Sequence, residues 1–284
     1  MILSKNILAL GHKVNSLNEA RELTPAIFSV NPHPQRTDRY TFLSTADIVK
    51  DMEKQGWNIT SVSQSGKGKF NRHIVRMTHS QMGSLSDRDQ VIPQIIIDNS
   101  HDGLTQAMIH MGLYRKISDT GLIIEMPAQD HSFKFRHVST NGSDLSDLMA
   151  EITKKYNQMI PHIEKMMNTE LSEDEKYEFA IEAIAEREPW RFKNFKGEIL
   201  REKVEKLNNI AEILHPEREA NKGDDLWRVF NTIQEALVNG GYERLSDKGR
   251  KSKTRAITIP SRNVDFNKAL WSLAEGLKST KEVV

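Results

Sequence analysis

Cysteine is absent from this 284-residue chain, which removes disulfides, thiolate metal sites and cysteine nucleophiles together. An excess of one charge is missing too. Lys and Arg number 40 against 39 Asp and Glu, so any attraction to a polyanion has to come from local patches rather than a global field. No apolar run approaches the roughly 20 residues that a membrane-spanning helix needs. The opening MILSKNILALGHK lacks the small-residue cleavage pattern of a secretory signal. Neither a Gly-x-Gly-x-x-Gly nor a Walker A pattern occurs, and Gly66-Lys67-Gly68-Lys69 is too short to count as a phosphate loop. No cofactor is expected, and internal repeats and low-complexity tracts are lacking as well. What remains is a globular composition, 37% hydrophobic and 28% charged, long enough for one large domain or two small ones. A disulfide-free chain without a spanning segment points to a reducing cytoplasm.

The chain is organised around Val91 to Glu125. An apolar β-branched run, Ile95-Ile96-Ile97, breaks at Asp98-Asn99-Ser100-His101-Asp102-Gly103. A second run, Leu104 to Leu113, places Ala107, Ile109 and Met111 on one face. Two such runs about a polar turn with a glycine predict a β-hairpin. Before it, Ser44-Thr45 caps a helix from Ala46 to Gln55 that Gly56 ends. Trp57 to Ser63 reads as a strand. Arg72 to Ser80 alternates, with His73, Val75, Met77 and His79 on one side and Arg72, Ile74, Arg76 and Thr78 on the other. Leu122-Ile123-Ile124 and Phe133 to Val138 bring the total to five or six strands.

After Gly142 the period changes. Ser143 caps a helix with Leu145, Leu148, Met149, Ile152 and Tyr156 in its stripe, and Pro161 is expected to kink or break it. Ser172-Glu173-Asp174-Glu175 is a capping box. A charged helix covers Glu198 to Leu214. Asp224-Asp225 and Asn239-Gly240-Gly241 punctuate a helix over Leu226 to Val238, and a last helix covers Asn267 to Lys278. Residues 1–39 read as an irregular arm packed on its own domain, with a short helix at Leu17 to Leu23. Residues 40–142 read as a sheet-rich core and 143–284 as a helical region packed on the sheet, in one continuous domain. The fold class is α+β: an antiparallel sheet with a backing helix in the N-terminal half and a helical C-terminal half.

Several stretches together carry a likeness: Arg39-Tyr40-Thr41-Phe42, Pro93-Gln94-Ile95-Ile96-Ile97-Asp98-Asn99-Ser100-His101-Asp102-Gly103, and Leu226-Trp227-Arg228-Val229-Phe230-Asn231-Thr232-Ile233-Gln234-Glu235. Asn239-Gly240-Gly241, Arg255-Ala256-Ile257-Thr258 and Arg262-Asn263-Val264 continue it. Across residues 39–277 the chain resembles the phage/plasmid-like protein family, a domain of unknown function found in prophages, phages and plasmids. The resemblance implies a mobile-element origin and a host-cytoplasm setting, and it supplies no catalytic residues. Where the family's second block continues Q-E-N, this chain has Gln234-Glu235-Ala236. The element order is also similar to that of phage single-strand annealing proteins, an analogy that does not by itself give function.

Two basic segments stand out. Lys248, Arg250, Lys251, Lys253 and Arg255 fall within eight residues, and Lys67, Lys69, Arg72 and Arg76 surround Phe70. Cations on Gly/Ser loops can follow a phosphate backbone, and an interleaved aromatic, Phe70 or Tyr242, can stack on an unpaired base. A solvated loop is the alternative for the cations, and a core position for Phe70. The Asp98–Gly103 turn, with Asn99, His101 and Asp102, offers carboxylate and imidazole ligands near His73, His79 and His110. No metal-ligand spacing accompanies them, and Asp and Asn also close tight turns through their own backbone, which is the preferred reading. Asn231, Gln234 and Glu235 share one helix face. They suit either a base edge or phosphate-bound metal, or the satisfaction of backbone groups in the sheet loops beneath, and the second is preferred.

The expectation is therefore a binding protein more than an enzyme: a homo-oligomeric nucleic-acid-binding protein of a phage or mobile element that prefers single-stranded DNA, in annealing or recombination. The alternatives are a metal-dependent nuclease built on Asp98, His101 and Asp102, and a counter-defence factor that binds a host protein through the acidic helix around Glu173 to Glu188.

Overall fold

The computed structural model describes residues 11–35, 42–79, 91–103, 107–115, 120–123, 133–134 and 142–280. The chain divides into two compact units, Met1–Ile160 and Pro161–Val284. The parts of the expected strands at residues 80, 104–106, 124 and 135–138, and the Arg39-Tyr40-Thr41 stretch, lie outside the described residues.

The N-terminal unit is built on an antiparallel sheet. Strands β1 (His12–Lys13), β2 (Trp57–Gln64), β3 (His73–His79), β4 (Val91–Asn99), β5 (Met108–Arg115) and β6 (Thr120–Ile123) follow one another in sequence order. Strand β7 (Phe133–Lys134) also pairs with β5. Ile97 lies opposite Val75 and Ile109, and Ile95 opposite Met77 and Met111, which makes one face a continuous apolar layer. The other face carries Asp98 opposite Ile74 and Met108, and Ile96 opposite Arg76 and His110. The alternation agrees with the sequence pattern. Burial does not stop at one face, however, for residues 73–77 and 93–99 are all buried.

The short helix α1 (Ala20–Leu23) and a 3₁₀ turn at Pro25–Phe28 carry the arm across this sheet, with Val14, Ala20, Ala26 and Ile27 buried. Helix α2 (Thr45–Lys54) starts where Ser44 Oγ accepts the Asp47 N–H at 3.3 Å. Helix α3 (Gly142–Met167) continues through Pro161 instead of breaking there. A proline removes one intrahelical bond, but Ile152, Tyr156 and Met159 before it and Ile163 and Met166 after it are buried, and that burial outweighs the loss. Tyr156 is fully buried, its hydroxyl set among Gln94 O, Gly112 O at 2.9 Å and Gly112 N at 3.2 Å.

The C-terminal unit is helical apart from one hairpin. Its helices are α4 (Glu173–Arg187), α5 (Pro189–Phe192), α6 (Arg201–Leu207), α7 (Ile210–Ile213), α8 (Leu226–Asn239) and α9 (Pro260–Thr280), with the hairpin β8 (Glu243–Leu245) and β9 (Lys251–Lys253). Phe179, Trp227, Phe230 and Trp271 form an aromatic core, with Trp227 and Phe230 stacked at 6.0 Å and Trp271 edge-on to Phe230 at 5.9 Å. The charged stretch expected as one helix is two, because Asn208 bridges to Arg244 and the Asn209 side chain caps a new start at Glu212 N. Among the described residues no helix is long and apolar enough to cross a membrane.

The capping box forms as read. Ser172 Oγ accepts the Glu175 N–H at 3.3 Å, and Glu175 Oε2 accepts the Ser172 N–H at 2.7 Å. Ser172→Ala is expected to destabilise the C-terminal unit by about 1 kcal/mol, read as faster hydrogen exchange in α4. An unchanged exchange rate there would contradict it.

Candidate nucleic-acid interface

The polar turn after β4 is an interior network, not an open site. Asn99, Ser100 and His101 are buried and Asp102 is half-buried. Asn99 Nδ2 donates to Leu43 O at 3.1 Å and to Thr45 Oγ1 at 2.9 Å. Thr45 Oγ1 lies 2.8 Å from His73 Nε2, and His73 Nδ1 lies 2.9 Å from Asn71 O. In the neutral ring, which burial favours, Nδ1–H donates to that carbonyl and Nε2 accepts from the threonine. Ser100 Oγ donates to Asp102 at 2.7 Å. The His101 ring rests against Phe42 at 4.8 Å and His73 at 5.1 Å. Burial pushes His73 down to about 4. It does the same to His101, also down to about 4, with the neighbouring His73 as the second cause. The turn ties the start of α2 to the ends of β3 and β4. Among the described residues no group of three or more His, Asp or Glu is placed to hold a metal ion.

Asp98 faces the other side of β4. Arg72 grips it through Nε at 2.8 Å and Nη2 at 2.5 Å, and His110 Nε2 stands 3.8 Å away. Burial alone would raise the Asp98 carboxyl, but the neighbouring His110 and the hydrogen bonds and charge of Arg72 more than offset it, leaving it below its ordinary value. Arg76 is 2% exposed, and burial pushes it down to about 10 against the pull of Asp98. This corrects the first basic cluster. Arg76 is inside the molecule and Arg72 is committed to Asp98, because β3 lies between two strands with both of its faces covered. Lys67 and Lys69 do stand exposed on the β2–β3 loop. Phe70 is half-buried, edge-on to His33 at 5.0 Å, with Lys69 Nζ 5.3 Å from its ring centre.

The polar residues of α8 are structural as well. Asn231 Nδ2 donates to Trp227 O at 2.7 Å, and Gln234 Nε2 donates to Asn267 Oδ1 at 3.0 Å. Glu235 accepts from Arg218 Nε at 2.5 Å and Asn221 Nδ2 at 3.1 Å. Their partners are mostly side chains of neighbouring helical segments, not the sheet loops expected.

The second basic cluster is presented outward. Lys248, Arg250, Lys251, Lys253 and Arg255 are all exposed on or just after the β8–β9 hairpin. Beside it opens a cleft of about 540 Å³ lined by Arg187, Arg244, Lys253, Arg255 and Arg262 with a single acid, Glu188. Arg244 Nη1 donates to Glu188 at 2.7 Å. Arg187 binds Glu188 at 2.9 Å, Leu237 O at 2.7 Å and Arg255 O at 2.6 Å. The acid thus offsets part of the charge of the inner arginines, Arg187 and Arg244, and leaves Lys253, Arg255 and Arg262 to line the rest of the cleft. The far wall is pinned to the end of α8 by Ile257 N–H to Val238 O at 2.8 Å and Gly241 N–H to Thr254 O at 2.9 Å. Gly240, at φ +64°, lets the two segments touch, since a Cβ there would sit 2.6 Å from the Arg255 carbonyl carbon. Tyr242 is buried, with the Arg187 guanidinium 5.7 Å from its ring centre, and is unavailable for stacking.

A family model for a domain of unknown function, DUF932, matches residues 32–271. The chain belongs to that family. Among curated proteins, it is similar to the UPF0380 protein YafZ of Escherichia coli (strain K12), 27% identical over 267 residues covering 91% of this chain and 90% of that one. UPF0380 protein YfjQ of the same strain is 26% identical with the same coverage. No solved structure matches the chain. The span matched to DUF932 takes in the polar turn, the β2–β3 loop and every residue of the cleft.

Sequence reading of this DUF932 chain missed Trp190, Arg187, Arg244 and Arg262. A signal existed for two of them. Pro189-Trp190 and Pro260-Ser261-Arg262 each begin with a proline suited to the first position of a helix, and both helices start there.

Proposed function

We propose that the protein binds nucleic acid, with unpaired DNA strands preferred, through the β8–β9 hairpin and the cleft beside it. The observation that carries this reading is the run of outward cations, Lys248, Arg250, Lys251, Lys253, Arg255 and Arg262, around a cleft that holds a single acid. The side chains of the first five make no ion pair with a described residue, so they keep their charge for a polyanion. A phosphate backbone laid along the hairpin would displace counterions from each neutralised phosphate. A cleft of about 540 Å³ is of small-ligand size. It admits the bases of an open strand one or two at a time, whereas paired bases stay shielded inside a duplex. Annealing or recombination for a mobile element fits this preference. Such a role would place several copies on one strand, which mass photometry with and without single-stranded DNA would read.

The test is fluorescence anisotropy with a labelled single-stranded oligonucleotide and its duplex across a salt series. Neutralising four or five phosphates at about 0.7 each gives a slope of log affinity against log salt of roughly −3 for the single strand. A salt-independent affinity, or no binding at low salt, would sink the reading.

A further inference from the structure

Trp190 stands beside the hairpin in an unusual state. It is 65% exposed, while the other three tryptophans, Trp57, Trp227 and Trp271, are at most 2% exposed. Its neighbours explain how it is held outward. Pro189 opens the one-turn helix α5, Phe192 is buried at 1%, and Arg191 Nη2 donates to Leu245 O in β8 at 3.1 Å. The residues that follow Trp190 are therefore fastened to the core and to the hairpin, which leaves the indole on the outside of the turn. The Arg262 guanidinium lies 4.4 Å from the indole ring centre. With a cation on one face and 65% of the residue still in solvent, the opposite face and the ring edges are the exposed part. Arg262 also lines the cleft, so the aromatic platform and the phosphate-binding cations share a residue.

We propose that Trp190, backed by Arg262, is the stacking platform for one unpaired base of a strand whose phosphates lie along Lys253 and Arg255. This rests on the nucleic-acid reading above and adds what selects open strands over duplexes: a planar π-surface that only an unstacked base can reach. The guanidinium on the back of the indole is already in a cation–π contact, and a base on the front completes a layered stack.

All four tryptophans emit, but the other three are buried, so quenching that is present in the wild type and lost in Trp190→Phe is assigned to this residue. A thymidine oligonucleotide is expected to quench it in the wild-type protein, while an abasic oligonucleotide of the same length binds without quenching. Trp190→Ala, a change at an exposed position, should weaken binding of the thymidine oligonucleotide about 10–100-fold and leave the abasic strand bound as before. Trp190→Phe should recover most of the loss. Normal binding by Trp190→Ala, or oligonucleotide binding without quenching, overturns the stacking role while the basic interface stands. If neither oligonucleotide binds the wild-type protein at low salt, the interface falls together with the platform.

Discussion

Asp98→Asn is expected to cost the N-terminal unit about 3–5 kcal/mol, the usual penalty for removing one partner of a buried ion pair. Asp98 is fully buried, with Arg72 holding both of its oxygens and His110 3.8 Å away. Arg72 keeps about a quarter of its side chain in solvent and can turn outward once the carboxylate is gone. Arg76 cannot, because it is 2% exposed and relies on the Asp98 charge to offset part of its desolvation. The amide of an asparagine fills the space but supplies no charge. Hydrogen exchange resolved by mass spectrometry reads the β3 and β4 segments separately from the C-terminal unit. Their slowest amides should exchange about two to four orders of magnitude faster, at roughly 1.36 kcal/mol per tenfold. A change below about 1 kcal/mol would show that Asp98 does not carry this role.

Acid should weaken the same unit well before carboxylates titrate. His73 and His101 sit at about 4 in the folded protein against about 6.5 in an unfolded chain. Desolvation is the main cause for both, and His73 further opposes charge on His101. The folded state therefore binds fewer protons than the unfolded one over this window. Stability is complete above about pH 6.5 and falls as pH drops towards 4, by on the order of 3 kcal/mol for each ring. Asp98 acts in a lower window. Its folded value is depressed, so its contribution holds above the unfolded carboxylate value and fades as pH falls below it. Protection of the β3 and β4 amides, corrected for intrinsic rates and compared at pH 7 and pH 5, checks the histidine step. Equal protection at both would refute it.

Local chemistry was the legible part of this fold. The caps at Ser44, Ser172 and Asp225 were readable because a short polar side chain before an apolar period satisfies its own helix start. The Ile95–Ile97 run marked a strand buried on both faces. What the sequence could not show was tertiary cover. Alternation put Arg72 and Arg76 on one face of β3, but nothing local says whether that face meets water or other protein, and the cover made Arg76 an interior charge and drew Arg72 onto the buried Asp98. Trp190 failed in the opposite direction. A four-residue helix is too short to display a period, so an outward tryptophan and an inward phenylalanine two positions on read alike. Asn231, Gln234 and Glu235 were recognised as a shared face. Asn231 turns back on Trp227 O four residues earlier, but the partners of Gln234 and Glu235 lie 14 to 33 residues away in sequence, beyond any helical spacing.

Arg187 spends its guanidinium on two backbone carbonyls and Glu188, one from the end of α8 and one from the strand leaving the hairpin. The cleft walls are thereby assembled before any ligand arrives. An occupant would meet a preorganised surface and lose little conformational entropy in shaping it. Association would then be limited by diffusional encounter with the cations at the rim, and differences among ligands would appear chiefly in how long each one stays.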